Sequence, residues 1–165
     1  MKTLRTCVVV TLFLSAVAGC RITPTGAIDA GEPITGLTKG VRLYFASDTG
    51  LRGVSRPDVK LRSLDFVVRL LLAGPNESEQ KSGLTTLVAF NGPYHASGSG
   101  NRVTFDVPET YRSAEKRLRN GQLVCSLARA QAVLHPKLRP DDVQVTLRSQ
   151  GESLGPYQCS YFLRN

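Results

Sequence analysis

Ligand-forming side chains are scarce in this chain. Its 165 residues hold two histidines and four cysteines. No two cysteines stand at Cys-x-x-Cys spacing, which removes the usual start of a zinc site. His95 has no cysteine or carboxylate near it in sequence. His135 falls at the end of a helical pattern, where a cation suits the macrodipole. Neither a metal nor a cofactor is expected. No uncharged apolar run reaches the roughly 20 residues that a spanning helix needs. There is no internal repeat, so solenoid and propeller folds are set aside.

The residues that are present begin with an address. Lys2 and Arg5 form a positive n-region, and Val8 to Val17 form a short uncharged h-region. That is the layout of a secretory signal. Ala16-Val17-Ala18 would serve as an ordinary cleavage site. Val17-Ala18-Gly19-Cys20 also fits a bacterial lipobox, with an aliphatic residue, two small ones and then cysteine. The expectation is a lipoprotein signal over residues 1–19, with Cys20 as the acylated new N-terminus. Each buried CH₂ of its acyl chains contributes about 0.8 kcal/mol to anchoring. Residues 20–38 then read as the lipidated cysteine and a flexible tether. The tether carries Pro24, Pro33, Gly26, Gly31 and Gly36 and spans about 25 Å when flexible.

Residues 39–165 suit one domain. With Cys7 removed and Cys20 acylated, Cys125 and Cys159 remain in an oxidising compartment, and they are predicted to pair. Two free buried thiols are the alternative. The net charge is +8 and falls to +6 once Lys2 and Arg5 are removed. Export makes nucleic acid an improbable partner. Anionic headgroups or wall polymers suit the charge better, and a merely basic surface would serve as well.

Periodicity supplies the elements. Val41 to Phe45 reads as a strand, SDTG as a turn, and LRGVSRPDV as a second, irregular strand. Leu64, Val67, Val68, Leu71 and Leu72 make one helical face, with Ser63 as N-cap and Gly74-Pro75 as the stop. Asn76 and Glu79 fit a capping box. Leu84 to Phe90 reads as a strand, HASGSGN as a flexible loop, and RVTFDV as an alternating strand. Glu109 to Asn120 reads as charged and partly helical. Leu123, Leu127, Ala130 and Leu134 then form a second amphipathic face. DVQVTLR is a strand, QGES a turn, and YQCSYFL a last strand with Tyr157, Cys159 and Tyr161 on one side. The predicted fold is an α/β two-layer sandwich, with two main helices on one face of a mixed, largely antiparallel sheet.

No catalytic constellation emerges. Asp48-Thr49-Gly50 resembles the aspartic-protease triplet, but that chemistry needs two carboxylates sharing a proton, and Leu51 follows where a small residue is usual. A turn explains it. Asp141 and Asp142 are adjacent and point apart in extended chain. Gly98-Ser99-Gly100 lacks the remaining residues of a phosphate loop or nucleophile elbow. A non-enzyme is expected.

The stretches VRLYFASDTGLRGVSRP, LDFVVRLLLAGPNESEQKSGLTTLV, RVTFDV and GQLVCSLARA together resemble the GerMN domain of sporulation and spore-germination proteins. The likeness runs from Val41 to Leu163. It implies a non-catalytic α/β domain in a lipoprotein or secreted protein of Gram-positive, here actinobacterial, type. Such domains work through protein contacts in an envelope, sporulation or sensor-kinase complex. Two places depart from the family: Leu87-Val88-Ala89 where a proline is common, and Ser149-Gln150-Gly151 where a short Asp-Gly turn is usual.

The expected role is therefore a membrane-anchored protein-interaction module, with wall-polymer binding as the alternative. Arg112, Lys116, Arg117 and Arg119 are the candidate binding surface. A first outcome follows from the lipobox. Cells expressing the full chain should incorporate an alkynyl fatty acid into it, and Cys20→Ala should abolish the label. Label that survives Cys20→Ala would remove the anchor assignment.

Overall fold

The computed structural model describes residues 40–107, 117–149 and 151–163. The signal, the tether and residues 108–116 lie outside these. The described chain orders as β1 (Val41–Ser47), β2 (Gly50–Arg56), α1 (Leu64–Ala73), α2 (Glu77–Lys81), β3 (His95–Ser99), β4 (Arg102–Asp106), α3 (Arg117–Leu134), a 3₁₀ turn (Pro140–Asp142), β5 (Gln144–Ser149), β6 (Glu152–Tyr157) and α4 (Ser160–Leu163). It is an α/β fold with helices packed against sheet, as predicted. The strands divide into a β1–β2 hairpin and a four-stranded sheet in the order β3-β4-β5-β6. Every pairing is antiparallel except β4 with β5.

Local chemistry explains α1 and α2. The Ser63 hydroxyl accepts from the Phe66 amide at 3.2 Å, satisfying one of the donors a helix start leaves open. Gly74, at φ 82°, closes α1 by donating its N–H to the Leu70 and Leu71 carbonyls, and a positive φ there suits glycine. Leu64, Val67, Val68 and Leu71 are buried and Leu72 partly so. In α2 the capping box closes in both directions, with Glu79 N–H on Asn76 Oδ1 at 2.9 Å and Asn76 N–H on Glu79 Oε2 at 2.8 Å.

The four-stranded sheet has one dry face. Ala96, Val103, Phe105, Val145 and Leu147 are buried. Phe105 meets Phe90 and Tyr94 in a ring cluster with centroids 5.4 to 6.1 Å apart. Asp106 and Arg148 face each other on the wetter side. Parallel β4 and β5 require a crossover, and α3 lies within it.

Four sequence readings change. Leu84 to Phe90 makes only one bridge, Thr85 to Ala46. Its other groups bond to the helices instead, with Thr86 Oγ1 donating to the Leu71 carbonyl of α1 at 2.8 Å and Leu87 N–H donating to Gln122 Oε1 of α3 at 2.7 Å. The supposed loop at His95 is strand β3, joined to β4 by a tight turn at Gly100-Asn101. Only Ala96 of that strand is buried, so it shows no apolar alternation. The last strand ends at Tyr157, and Cys159 leads instead into the single turn of α4. The strand therefore begins earlier, at Glu152, inside the stretch read as a turn.

The fourth change is the largest. α3 is not amphipathic, because every residue from Arg119 to Ala128 is buried. Nearly three turns are enclosed on all sides, although the segment carries Asn120, Gln122 and Ser126. The polar groups at 122 and 126 are used on β1. Tyr44 N–H donates to Ser126 Oγ at 2.9 Å, and Tyr44 O accepts from Gln122 Nε2 at 3.2 Å. Gln122 Nε2 also approaches Thr85 O at 3.4 Å. One glutamine thus joins α3, β1 and the 84–88 segment.

Glycine and cysteine complete the seating. A Cβ on Gly121 would come within 2.6 Å of Leu51 Cδ1 and 2.9 Å of Phe162 Cβ. The missing side chain lets β2 and α4 close on the helix, which offsets the roughly 1 kcal/mol that glycine costs against alanine there. Cys125 of α3 and Cys159 stand at disulfide distance, with Cα atoms 4.5 Å apart.

Gln122→Leu keeps the volume of the clamp but removes its polar atoms, leaving buried backbone groups unsatisfied at about 1–3 kcal/mol each. Urea unfolding should show a loss of about 3 kcal/mol or more, and a smaller loss of about 1 kcal/mol for Ser126→Ala. A cost under 1 kcal/mol for Gln122→Leu would mean that the clamp is not what holds β1.

Candidate functional site

The predicted basic surface resolves unevenly. Arg112 and Lys116 lie outside the described residues. Arg119 is a correction, since it is only 7% exposed and so presents no charge to a partner. The helix is enclosed from that residue to Ala128, and the side chain is taken inside with it. Arg117, two residues earlier, is exposed. It donates from Nη2 to Tyr161 O at 2.8 Å, and its guanidinium lies 5.2 Å from the Tyr161 ring centroid.

Around Arg117 the fold assembles an aromatic shelf. Tyr161 stacks on Tyr157, with centroids 5.3 Å apart and planes 28° from parallel. Phe162, buried beneath, meets both rings edge-on at 5.3 and 5.0 Å. Tyr161 is 55% exposed and Leu163 45%. The shelf walls an open groove of 590 Å³ lined by Arg117, Gln144, Pro156, Tyr157, Gln158, Ser160 and Tyr161. Sequence reading missed this site because Tyr157 and Tyr161 were placed on one strand. A turn of helix between them is what brings their rings face to face.

The remaining ionisable groups are structural or isolated. Asp48 is exposed in the β1–β2 turn, and no protease-like pair of carboxylates forms there among the described residues. His95 Nδ1 lies 3.3 Å from Asp65 Oδ2, while Asp65 Oδ1 accepts the Ala96 amide at 2.6 Å. The pair orients an imidazole, but His95 makes no hydrogen bond to a hydroxyl or thiol among the described residues. Beside it, burial raises the Tyr94 hydroxyl above its ordinary pKa, Arg69 opposes this and Asp65 adds to it. No cluster of three metal-ligating side chains occurs among the described residues. Arg148 is held above its usual value by its hydrogen bonds to Asp106.

Arg56 and Glu79 join the hairpin to α2. Arg56 Nη2 donates to Glu79 Oε2 at 2.7 Å and to Gly74 O at 3.3 Å. Burial alone would raise the Glu79 carboxyl. The Arg56 hydrogen bond, the Asn76 amide and the Arg56 charge outweigh it and leave the pKa below the ordinary 4.5.

Compared with known proteins, the chain matches no family profile, no curated protein and no solved structure.

A carboxylate with a lowered folded pKa contributes stability above its unfolded value and loses it as pH falls through the folded one. Glu79→Gln should therefore lower the melting temperature at pH 7. The gap to the parent protein should close as pH drops below 4.5. A gap independent of pH would assign the effect to packing instead.

Proposed function

We propose that this chain is a GerMN-type lipoprotein, anchored through Cys20 on the extracytoplasmic face of the cell membrane, whose domain is a non-catalytic module that docks an envelope protein. The observation that carries the reading is the shelf of Tyr161 and Tyr157 with Arg117 stacked on it. Tyrosine and arginine dominate the energetics of protein interfaces. Both offer large contact area with a polar tip, and they bind best where a packed layer beneath holds them still. Phe162 supplies that layer. The lipobox supports the location, and a tether of about 25 Å would leave the shelf free to meet neighbours at the membrane. Wall polymer is the other occupant to consider, because Gln144, Gln158 and Ser160 offer hydroxyl-binding groups along the same groove.

The test is photocrosslinking on intact cells, with p-benzoylphenylalanine in place of Tyr161 in the full-length chain. One extracytoplasmic protein is expected in the adduct, and Tyr157→Ala should weaken its capture by tenfold or more. Muropeptides in the adduct would replace this reading with wall binding. An absence of any adduct would remove the shelf as a docking surface.

A further inference from the structure

The two edges of the β1–β2 hairpin are treated differently. On the inner edge, Tyr44 is satisfied by Ser126 and Gln122, and Ala46 exchanges both backbone bonds with Thr85 at 3.0 and 2.9 Å. Tyr44 and Ala46 therefore turn their backbone groups away from β2. Their cross-strand partners Gly53 and Leu51, and Ser55 opposite Arg42, must then turn theirs outward on the far side of β2, since residues of a non-hydrogen-bonded antiparallel pair point away from each other. Among the described residues, nothing pairs with that outer edge, and β2 has no second neighbouring strand.

Edges left in this state are normally blunted by proline, a bulge, extreme shortness or charge, and charge of one sign bars a like edge while leaving a strand of opposite sign admissible. β2 has seven residues in unbroken register with β1, and its proline, Pro57, comes only after the strand ends. What the edge does carry is positive charge. Arg52 is exposed beside it. Arg42, on β1, reaches across, because a Cβ on Gly53 would lie 2.6 Å from Arg42 Nε and 3.1 Å from its Nη2. Glycine at 53 therefore lets a guanidinium from the neighbouring strand lie over β2. Tyr44 supports it from below at 5.8 Å. Neither Arg42 nor Arg52 has a carboxylate partner among the described residues. The nearest acids in sequence, Asp48 and Asp58, stand outside the Leu51–Ser55 stretch.

We propose that the outer edge of β2 takes up an extended, acidic segment of the partner protein as a third strand. Backbone pairing to Leu51, Gly53 and Ser55 supplies the attachment. Arg42 and Arg52, which project from opposite faces of the hairpin, select carboxylates on both faces of the incoming strand, an odd number of residues apart. This inference rests on the protein-partner reading above. The edge also adjoins the aromatic shelf, since Leu51 and Phe162 both close on Gly121.

The experiment is selection of a random twelve-residue display library on the full-length chain. Peptides enriched in Glu or Asp an odd number of residues apart, so that both faces of the extended segment are acidic, with β-branched residues among them and no proline, are expected. Ser55→Pro, which removes one outward N–H from the edge, should weaken their binding at least tenfold. Arg52→Glu, which leaves the backbone untouched, should do the same even if Ser55→Pro compromises folding. Lys137→Glu should leave binding unchanged. Selected peptides that bind Arg52→Glu as well as they bind the parent would overturn the edge proposal, as would enrichment of proline-rich or uncharged sequences, or no enrichment at all. Any of these leaves the docking-module reading to be decided separately by the crosslink at Tyr161.

Discussion

When α3 packs against the hairpin, it removes water from the inner edge of β1 and with it the partners of the Tyr44 N–H and C=O. An unsatisfied buried backbone group costs about 1–3 kcal/mol, so the helix can be enclosed only if it supplies replacements. Ser126 and Gln122, one turn apart, supply them. Gln122 spends its remaining acceptor on the Leu87 amide. A helix side chain thus does the work that a neighbouring strand would do, and for that reason the 84–90 segment needs no more than one bridge to β1.

Once α3 is held in this way, the rest of the fold arranges itself around it. The parallel β4–β5 pairing is reached through α3. Gly121 opens a notch for Leu51 and Phe162, and Cys125 fastens the chain just before α4. Gln131 does for the β3–β4 turn what Gln122 does for β1. It is 1% exposed, lies flat on Gly98 and donates to Gly100 O at 2.7 Å. The Ser/Gly stretch is ordered by a glutamine on a distant helix rather than by its own side chains.

The surface is as uneven as the interior. Two cationic sites rest on tyrosine rings, Arg117 on Tyr161 and Arg42 on Tyr44. In both, an aromatic face supports a guanidinium at a place where the chain leaves contact area or backbone open. Several acids are held by partners, while Asp48, Asp58, Glu77, Asp142 and Glu152 are exposed. Glu79 is bound by Arg56, Asp106 by Arg148, and Asp65 by His95 and the Ala96 amide. Arg42 and Arg52 have no carboxylate partner among the described residues, and that is the physical basis for expecting a partner that brings carboxylates.

How much of this was legible in the sequence depends on how far each interaction reaches. The Ser63 cap, the Gly74 stop and the Asn76–Glu79 box were readable because each partner lies within four residues of the other. So were the apolar face of α1 and the alternation of β4 and β5, since each strand contributes its own inward set. The basic run ending at Arg119 was misread because exposure is not a local property. The sequence by itself determined the class of fold, both ends of α1, the start of α2, and Cys125 and Cys159 as the expected pair. Tertiary structure alone decided that α3 is buried on every side, that His95 begins a strand, and that two tyrosines stack beneath an arginine. The hydrogen bonds that seat α3 join residues 35 to 82 positions apart, and Arg117 meets Tyr161 across 44; no periodicity in a short window carries a signal over such distances.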